Sequence, residues 1–258
     1  MRGNPEKVLA AIDEFGETKK YLMNVGKFKA KIIIDLIAKV KPKVMVELGG
    51  YVGYSAIAFG AGLRASGGEQ YLSLEMNPEF GAVIDSLVDL AGLRDIVKVE
   101  VGKSSASLRR LFSKGHLKRI DLLFLDHYKP AYTPDLKLCE ELDLVGAGSV
   151  IAADNVVKPG NPPYLKYVRS TIDEKRRSTQ AFSKMVKNDF DNNHENVPEG
   201  DQDANSRDDL INGNPNLIYE SKFVEGWEPS GVAWKSLDVV LNKIRTSDEC
   251  LELVTHSY

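Results

Sequence analysis

The sequence predicts an α/β fold: a mostly parallel sheet with helices on both faces. Short apolar runs alternate with helix-length amphipathic segments from Val44 to Ala153, the pattern of stacked βαβ units. The first run, Lys43-Val-Met-Val-Glu-Leu-Gly-Gly-Tyr-Val-Gly-Tyr-Ser55, passes from β-branched residues into glycines and then into a helix-like segment. Strand, glycine turn, helix is how a doubly wound, Rossmann-like nucleotide-binding domain opens. The 258 residues, 43% hydrophobic and 28% charged, suit one domain spanning the whole chain, with room for a sizeable core.

Taken in order, Pro5 to Phe15 puts Val8, Leu9 and Ile12 on one helical face. Tyr21-Leu-Met-Asn-Val-Gly26 interrupts, and Lys27 to Lys41 reads as an amphipathic helix stopped by Pro42. Two helices therefore precede the first strand. After the glycine turn, Gln70 to Glu75 is a strand, and Pro78 to Ala91 is a helix closed by Gly92. Ile96 to Val101 alternates as a strand, and Ser104 to Lys114 is a helix with a serine near its start. Ile120 to Leu125 is the fourth strand, Pro134 to Leu142 a helix, and Ser149 to Ala153 the fifth strand. Pro162 to Glu174 begins as a helix, after which the pattern weakens. Residues 187–216 are polar and, from Asp189 to Asp209, dominated by acidic side chains; they are expected to form a mobile acidic insertion. Leu217 to Val224 restores order, Gly226 to Gly231 reads as a turn, and Ser236 to Ile244 is either the second strand of a hairpin or a helix.

The bulk properties exclude several classes. A formal net charge of −3 leaves no basic field for a phosphate backbone, so a nucleic-acid partner is not expected. Cys139 and Cys250 have no metal-ligand spacing and form no disulfide framework, which points to a reducing compartment. No apolar stretch follows the N-terminus as a signal peptide or membrane span would. The expectation is a cytoplasmic monomer with no membrane attachment.

The glycine turn reads Glu47-x-Gly49-x-x-x-Gly53, without the middle glycine of a dinucleotide fingerprint. An acidic residue entering the turn repels a pyrophosphate and suits a cationic ligand. The turn is similar to the first motif of methyltransferases that use S-adenosylmethionine (SAM), whose cofactor carries an amine and a sulfonium. In an open parallel sheet, ligands bind beyond the carboxyl ends of the strands. Glu47, Glu75, Asp126 and Asp154 all fall at such ends. Glu75 lies 22 residues after Gly53, near the interval at which an acidic residue meets a ribose, although a solvated strand end reads the same way. Asp126, Asp154 and Asn155 together supply hard oxygen ligands suited to Mg²⁺. His127 reads as a base, a metal ligand or a packing residue beside the cofactor.

Met23-Asn-Val-Gly26, Glu47-Leu-Gly-Gly-Tyr-Val-Gly-Tyr-Ser-Ala56, Glu75-Met-Asn-Pro78, Ala91-Gly-Leu93, Phe124-Leu-Asp-His-Tyr-Lys129 and Ala153-Asp-Asn-Val156 with Pro159-Gly160 resemble the catechol O-methyltransferase family from about Ala11 to Arg169. The resemblance implies a seven-stranded sheet whose last strand runs antiparallel. It implies SAM as methyl donor, Mg²⁺ as metal and a small catechol as substrate. Carried over, Asp126, Asp154 and Asn155 would hold Mg²⁺. Val25, Glu47, Gly49, Tyr51, Ser55, Glu75, Met76, Ser104, Asp126 and His127 would contact SAM, with Glu75 on the ribose. Lys129 would be the base, and Met23, Tyr21, Tyr128, Asn155 and Pro159 would shape the catechol site. Glu220, with Glu225 as rival, would receive the second catechol hydroxyl.

The chain departs from the family pattern at Tyr21 and Tyr128, where the vertebrate enzymes carry tryptophans, at Lys158 before the gatekeeper proline, and in the acidic insertion. These departures bear on the substrate more than on the chemistry. A methyltransferase for another vicinal diol, of caffeoyl or flavonoid type, is the nearest alternative. A nicotinamide dehydrogenase fits the turn and the Asp-Asn pair poorly. A non-catalytic SAM-binding protein does not account for Lys129 beside three metal ligands.

Overall fold

A computed structural model describes residues 2–179, 211–227 and 236–246. Helices α1 (Pro5–Thr18) and α2 (Gly26–Val40) precede β1 (Val44–Leu48). There follow α3 (Tyr54–Ala65), β2 (Gln70–Glu75), α4 (Pro78–Ala91), β3 (Val97–Val101), α5 (Ser104–Ser113) and β4 (Leu122–Leu125). Next come α6 (Tyr132–Glu141), β5 (Val150–Asp154), a π-helical turn at Val156–Gly160, α7 (Pro162–Arg169), β6 (Leu217–Trp227) and β7 (Ser236–Thr246).

Local chemistry sets many of these limits. Asn4 and Asn77 cap α1 and α4 by accepting the amides of Lys7 and Glu79, each with a proline at the first turn. Gly92 closes α4 in the left-handed region at φ 72°. Helix α5 is not capped by its first serine: Lys103 is the N-cap, and Ser104 turns its hydroxyl inward. The fourth strand starts later than its apolar run suggests. Asp121 stays outside it and accepts the amides of Lys43 and Val44 at 3.0 Å each, tying the start of β1.

The strands make one sheet in the order β3-β2-β1-β4-β5-β7-β6. The first five are parallel, and β7 runs antiparallel to both neighbours. The segment from Ser236 is therefore a strand, not a helix. Its partner β6 runs through Gly226, which the sequence assigns to a turn. Alternate strand residues serve opposite faces. Met45, Leu122 and Phe124 pack under α1–α4, whereas Val46, Leu48, Leu123 and Leu125 pack under α5–α7. Both faces are thus covered, as parallel strands require.

Much of the expected acidic insertion, 187–210, lies outside the described residues, as do 228–231 of the predicted turn and Cys250. Its last part is held: Ile211 is buried, and the amides of Asn212 and Asn214 donate to Glu141 and Glu140.

Candidate active site

The chain leaves β1 to one side for β2 and β3 and to the other for β4 and β5, so a crevice forms between β1 and β4 at their carboxyl ends. A cavity of about 660 Å³ occupies it. The glycine turn forms one wall. A Cβ on Gly49 would sit 2.4 Å from the carbonyl oxygen of Asp126, and Gly49 has φ 94°. Glycine is thus required there by the meeting of two strand-end loops as well as by any ligand.

Asp126, Lys129, Asp154 and Asn155 converge at one corner. Asn155 adopts φ 60°, an uncommon left-handed conformation for a residue with a side chain. Lys129 Nζ donates to Tyr132 Oη at 2.7 Å, the Asp154 carbonyl at 3.1 Å and Asn155 Oδ1 at 3.3 Å, and lies 3.8 Å from Asp126 Oδ1. The Lys129 carbonyl in turn accepts Asn161 Nδ2 at 2.7 Å, which fixes the loop from the far side. Asp154 is buried, and its Oδ2 accepts Lys29 Nζ from α2. Its other oxygen, Oδ1, is buried with no hydrogen-bond partner among the described residues. Burial and the nearby Asp154 carboxylate push Asp126 up to about 8, against the pull of Lys129 and Lys29.

Among the described residues no three His, Cys, Asp or Glu side chains gather as a metal cluster. The third hard donor is instead the Asn155 amide oxygen. An orphaned carboxylate oxygen beside a second carboxylate is costly in isolation and well suited to a divalent cation. The residues present therefore fit Mg²⁺.

At the other end of the cavity, Glu75 Oε2 accepts the Tyr51 amide at 2.8 Å and Oε1 accepts the Asn77 amide at 2.9 Å. These bonds hold the carboxylate at the strand end with lone pairs left over. Tyr51 packs edge-on to Phe80 at 5.0 Å. His127 Nε2 donates to Asp135 Oδ2 at 2.8 Å, which also accepts Ser104 Oγ at 2.5 Å, and the imidazole stacks on Tyr132. The ring is thus held in place on the cavity wall. Val25, Gly49, Ser55 and Met76 line the same space. Tyr21, Met23 and Tyr128, at 55%, 72% and 75% exposure, form an open apolar rim with Pro159.

Two predicted site residues are placed elsewhere. Glu47 is fully buried below the cavity, not on its lining. Its Oε1 accepts Ser73 Oγ at 2.5 Å, and burial pushes its carboxyl up to about 7. Glu220 is not brought to the cavity at all. It stands exposed on β6 and pairs with Arg245 Nη2 across the hairpin at 2.7 Å. The side chains of its rival Glu225 and of Lys158 lie outside the described residues. Conversely, Lys29, Asp135 and Asn161 belong to the site and carry no motif. Only Lys29 has a readable signal: it shares the buried stripe of Ile33 and Ile37 at four-residue spacing.

Residues 5–201 match the O-methyltransferase family. The chain is 40% identical over 169 residues to the catechol O-methyltransferase of Mus musculus, covering 66% of this chain and 63% of that protein. It is 37% identical over 170 residues to catechol O-methyltransferase B of Danio rerio, covering 66% and 64%. The chain thus spans a little under two thirds of the length of these relatives. Among solved structures, the O-methyltransferase from Bacillus cereus in complex with SAH superposes with a TM-score of 0.56 at 21% identity, over 93% of this chain and 90% of that one. That likeness concerns the fold. No described helix is long and apolar enough to cross a membrane.

Proposed function

The chain belongs to the O-methyltransferase family, and from that premise we propose that it transfers a methyl group from SAM to one hydroxyl of a catechol, with Mg²⁺ at Asp126, Asp154 and Asn155. The observation that carries this reading is the corner in which Lys129 meets the Asp126 carboxylate and the Asn155 amide oxygen, beside a carboxylate oxygen of Asp154 that is buried without a partner among the described residues. When bound, SAM supplies the electrophilic methyl and Mg²⁺ the Lewis acidity that favours an ionised catechol oxygen.

The chain's own residues do the rest. Glu75 receives the ribose hydroxyls with the lone pairs its backbone bonds leave free. Ser55, Tyr51 and the glycine turn bound the amino-acid end of SAM, and Glu47 sits beneath that turn as a buried counter-charge. Ser104, Met76 and His127 frame its nucleobase. Tyr21, Met23, Tyr128 and Pro159 hold the aromatic ring, and Lys129 accepts the phenolic proton. Holding two reactants in attack geometry is worth ~7–11 kcal/mol, and a vicinal diol can make two contacts at the oxygen corner where a monophenol makes one.

The mouse and zebrafish relatives named above support catechol as the substrate class, and a caffeoyl or flavonoid diol would use the same corner. The test is a panel of catechol, caffeate and phenol incubated with SAM and Mg²⁺, with products identified by mass. Mono-methylated products from the diols and none from phenol are expected. Equal methylation of phenol, or none of any diol, would overturn the assignment.

A further inference from the structure

Lys29 carries no role in the reading above, yet it is placed like a functional group. It lies on α2 with its side chain only 4% exposed, and Asp154 opposite is 2% exposed. Lys27 and Lys31, its neighbours on the helix, are exposed. A buried ion pair stabilises a fold poorly, because removing two charges from water costs about as much as their attraction returns. Apolar residues in place of both partners would avoid that cost, and position 29 already lies on the stripe of Ile33 and Ile37. The pair therefore calls for a reason other than packing.

The charges of the corner supply one. The corner sets Asp126 against the amine of Lys129 and Asp154 against the amine of Lys29. Lys29 takes only Oδ2 of Asp154, while Oδ1 remains buried and unpartnered among the described residues. Lys129 does not duplicate this contact; at Asp154 its hydrogen bond goes to the backbone carbonyl. One oxygen of Asp154 is thus anchored from behind, and the other is left available.

We infer that Lys29 is a positioning residue that serves as a built-in counter-cation: it holds Asp154 in its ligating pose when no metal is bound, and it weakens metal affinity by opposing the incoming charge. This rests on the proposal that Asp126, Asp154 and Asn155 bind a divalent ion. The consequence runs against simple loss of function. Removing the ammonium leaves the carboxylates under-compensated, so the metal-free protein loses stability and the metal is held more tightly.

The test is Mg²⁺ binding by calorimetry, with melting temperatures in EDTA and in Mg²⁺, for the wild type, Lys29→Met and Lys29→Gln. The glutamine variant can still donate to Asp154 Oδ2 but carries no charge, and it answers the question if the methionine variant does not fold. Close charges interact strongly in a partly buried setting, so both variants should bind Mg²⁺ at least about tenfold more tightly than the wild type. Both should also melt lower in EDTA and recover more on adding Mg²⁺. Mg²⁺ binding by the variants that is equal to or weaker than the wild type's would overturn the role of Lys29 while leaving the metal site in place. A wild type that binds no divalent ion would overturn the metal reading, and this inference with it.

Discussion

Replacing Lys129 with methionine is the most informative single change to the site. Lys129→Met keeps the length of the side chain and removes its nitrogen. In the structure that nitrogen donates to Tyr132 at 2.7 Å, the Asp154 carbonyl at 3.1 Å and Asn155 at 3.3 Å. It is the group best placed to take a proton from an oxygen held at Asp126, Asp154 and Asn155. General-base catalysis contributes about 10²–10⁴-fold, which is roughly 3–5 kcal/mol of barrier. The fold should tolerate the change, because Tyr132 Oη keeps its own bond to the Asp154 carbonyl at 3.2 Å. The assay is steady-state methyl transfer to catechol across a pH series, with SAM affinity measured separately by calorimetry. The expected result is a kcat lower by that factor at neutral pH, an unchanged SAM affinity, and partial recovery at high pH as the phenol ionises in solution. A near-normal kcat at neutral pH would refute the base assignment even if the methyltransferase reading stood.

Asp154→Ala should abolish most turnover while SAM still binds, and urea unfolding should show a loss of ~3–5 kcal/mol because Lys29 is left buried without its partner; undiminished turnover would remove Asp154 from the metal site. Glu75→Gln should weaken SAM binding by about tenfold, the loss of a charge-assisted hydrogen bond worth ~1.5–3 kcal/mol, and unchanged calorimetric affinity would reject its ribose role. Glu47 makes a pH prediction. Its carboxyl is raised in the folded protein from 4.5 to about 7, so its contribution is fully present below pH 4.5 and is lost as pH rises through 7. At one pKa unit per 1.36 kcal/mol the ligand-free protein should lose up to roughly 3 kcal/mol across that window. Glu47→Gln should flatten the dependence in urea titrations at pH 5 and 8, and an identical slope in the variant would contradict the cause given.

The parallel half of the fold is readable because each strand-turn-helix unit is written locally. Apolar runs bounded by Gly, Pro and capping Asn place β1, β2 and α4 to within a residue or two. The hairpin is less readable, because Ser236 to Ile244 matches a strand or a helix by periodicity and only pairing with β5 and β6 decides between them. The oxygen corner is legible for a related reason: the carboxyl ends of parallel strands gather on one edge, so Asp126, Asp154 and Asn155 must meet there. Glu220 has no such rule behind it. It lies in an antiparallel strand, far from the motifs, and its geometry follows from the hairpin register. Lys29 goes unnoticed because lysine on a helix normally marks the solvated face, and only its place on the Ile33–Ile37 stripe betrays the inward turn.

Metal-assisted methyl transfer at this corner is the step on which every other role depends. It is tested most directly by stripping the protein with EDTA and following labelled methyl from SAM to catechol as Mg²⁺ is added back. No turnover in EDTA and a saturable rise with Mg²⁺ are expected. Turnover in EDTA at the Mg²⁺-saturated rate would contradict it.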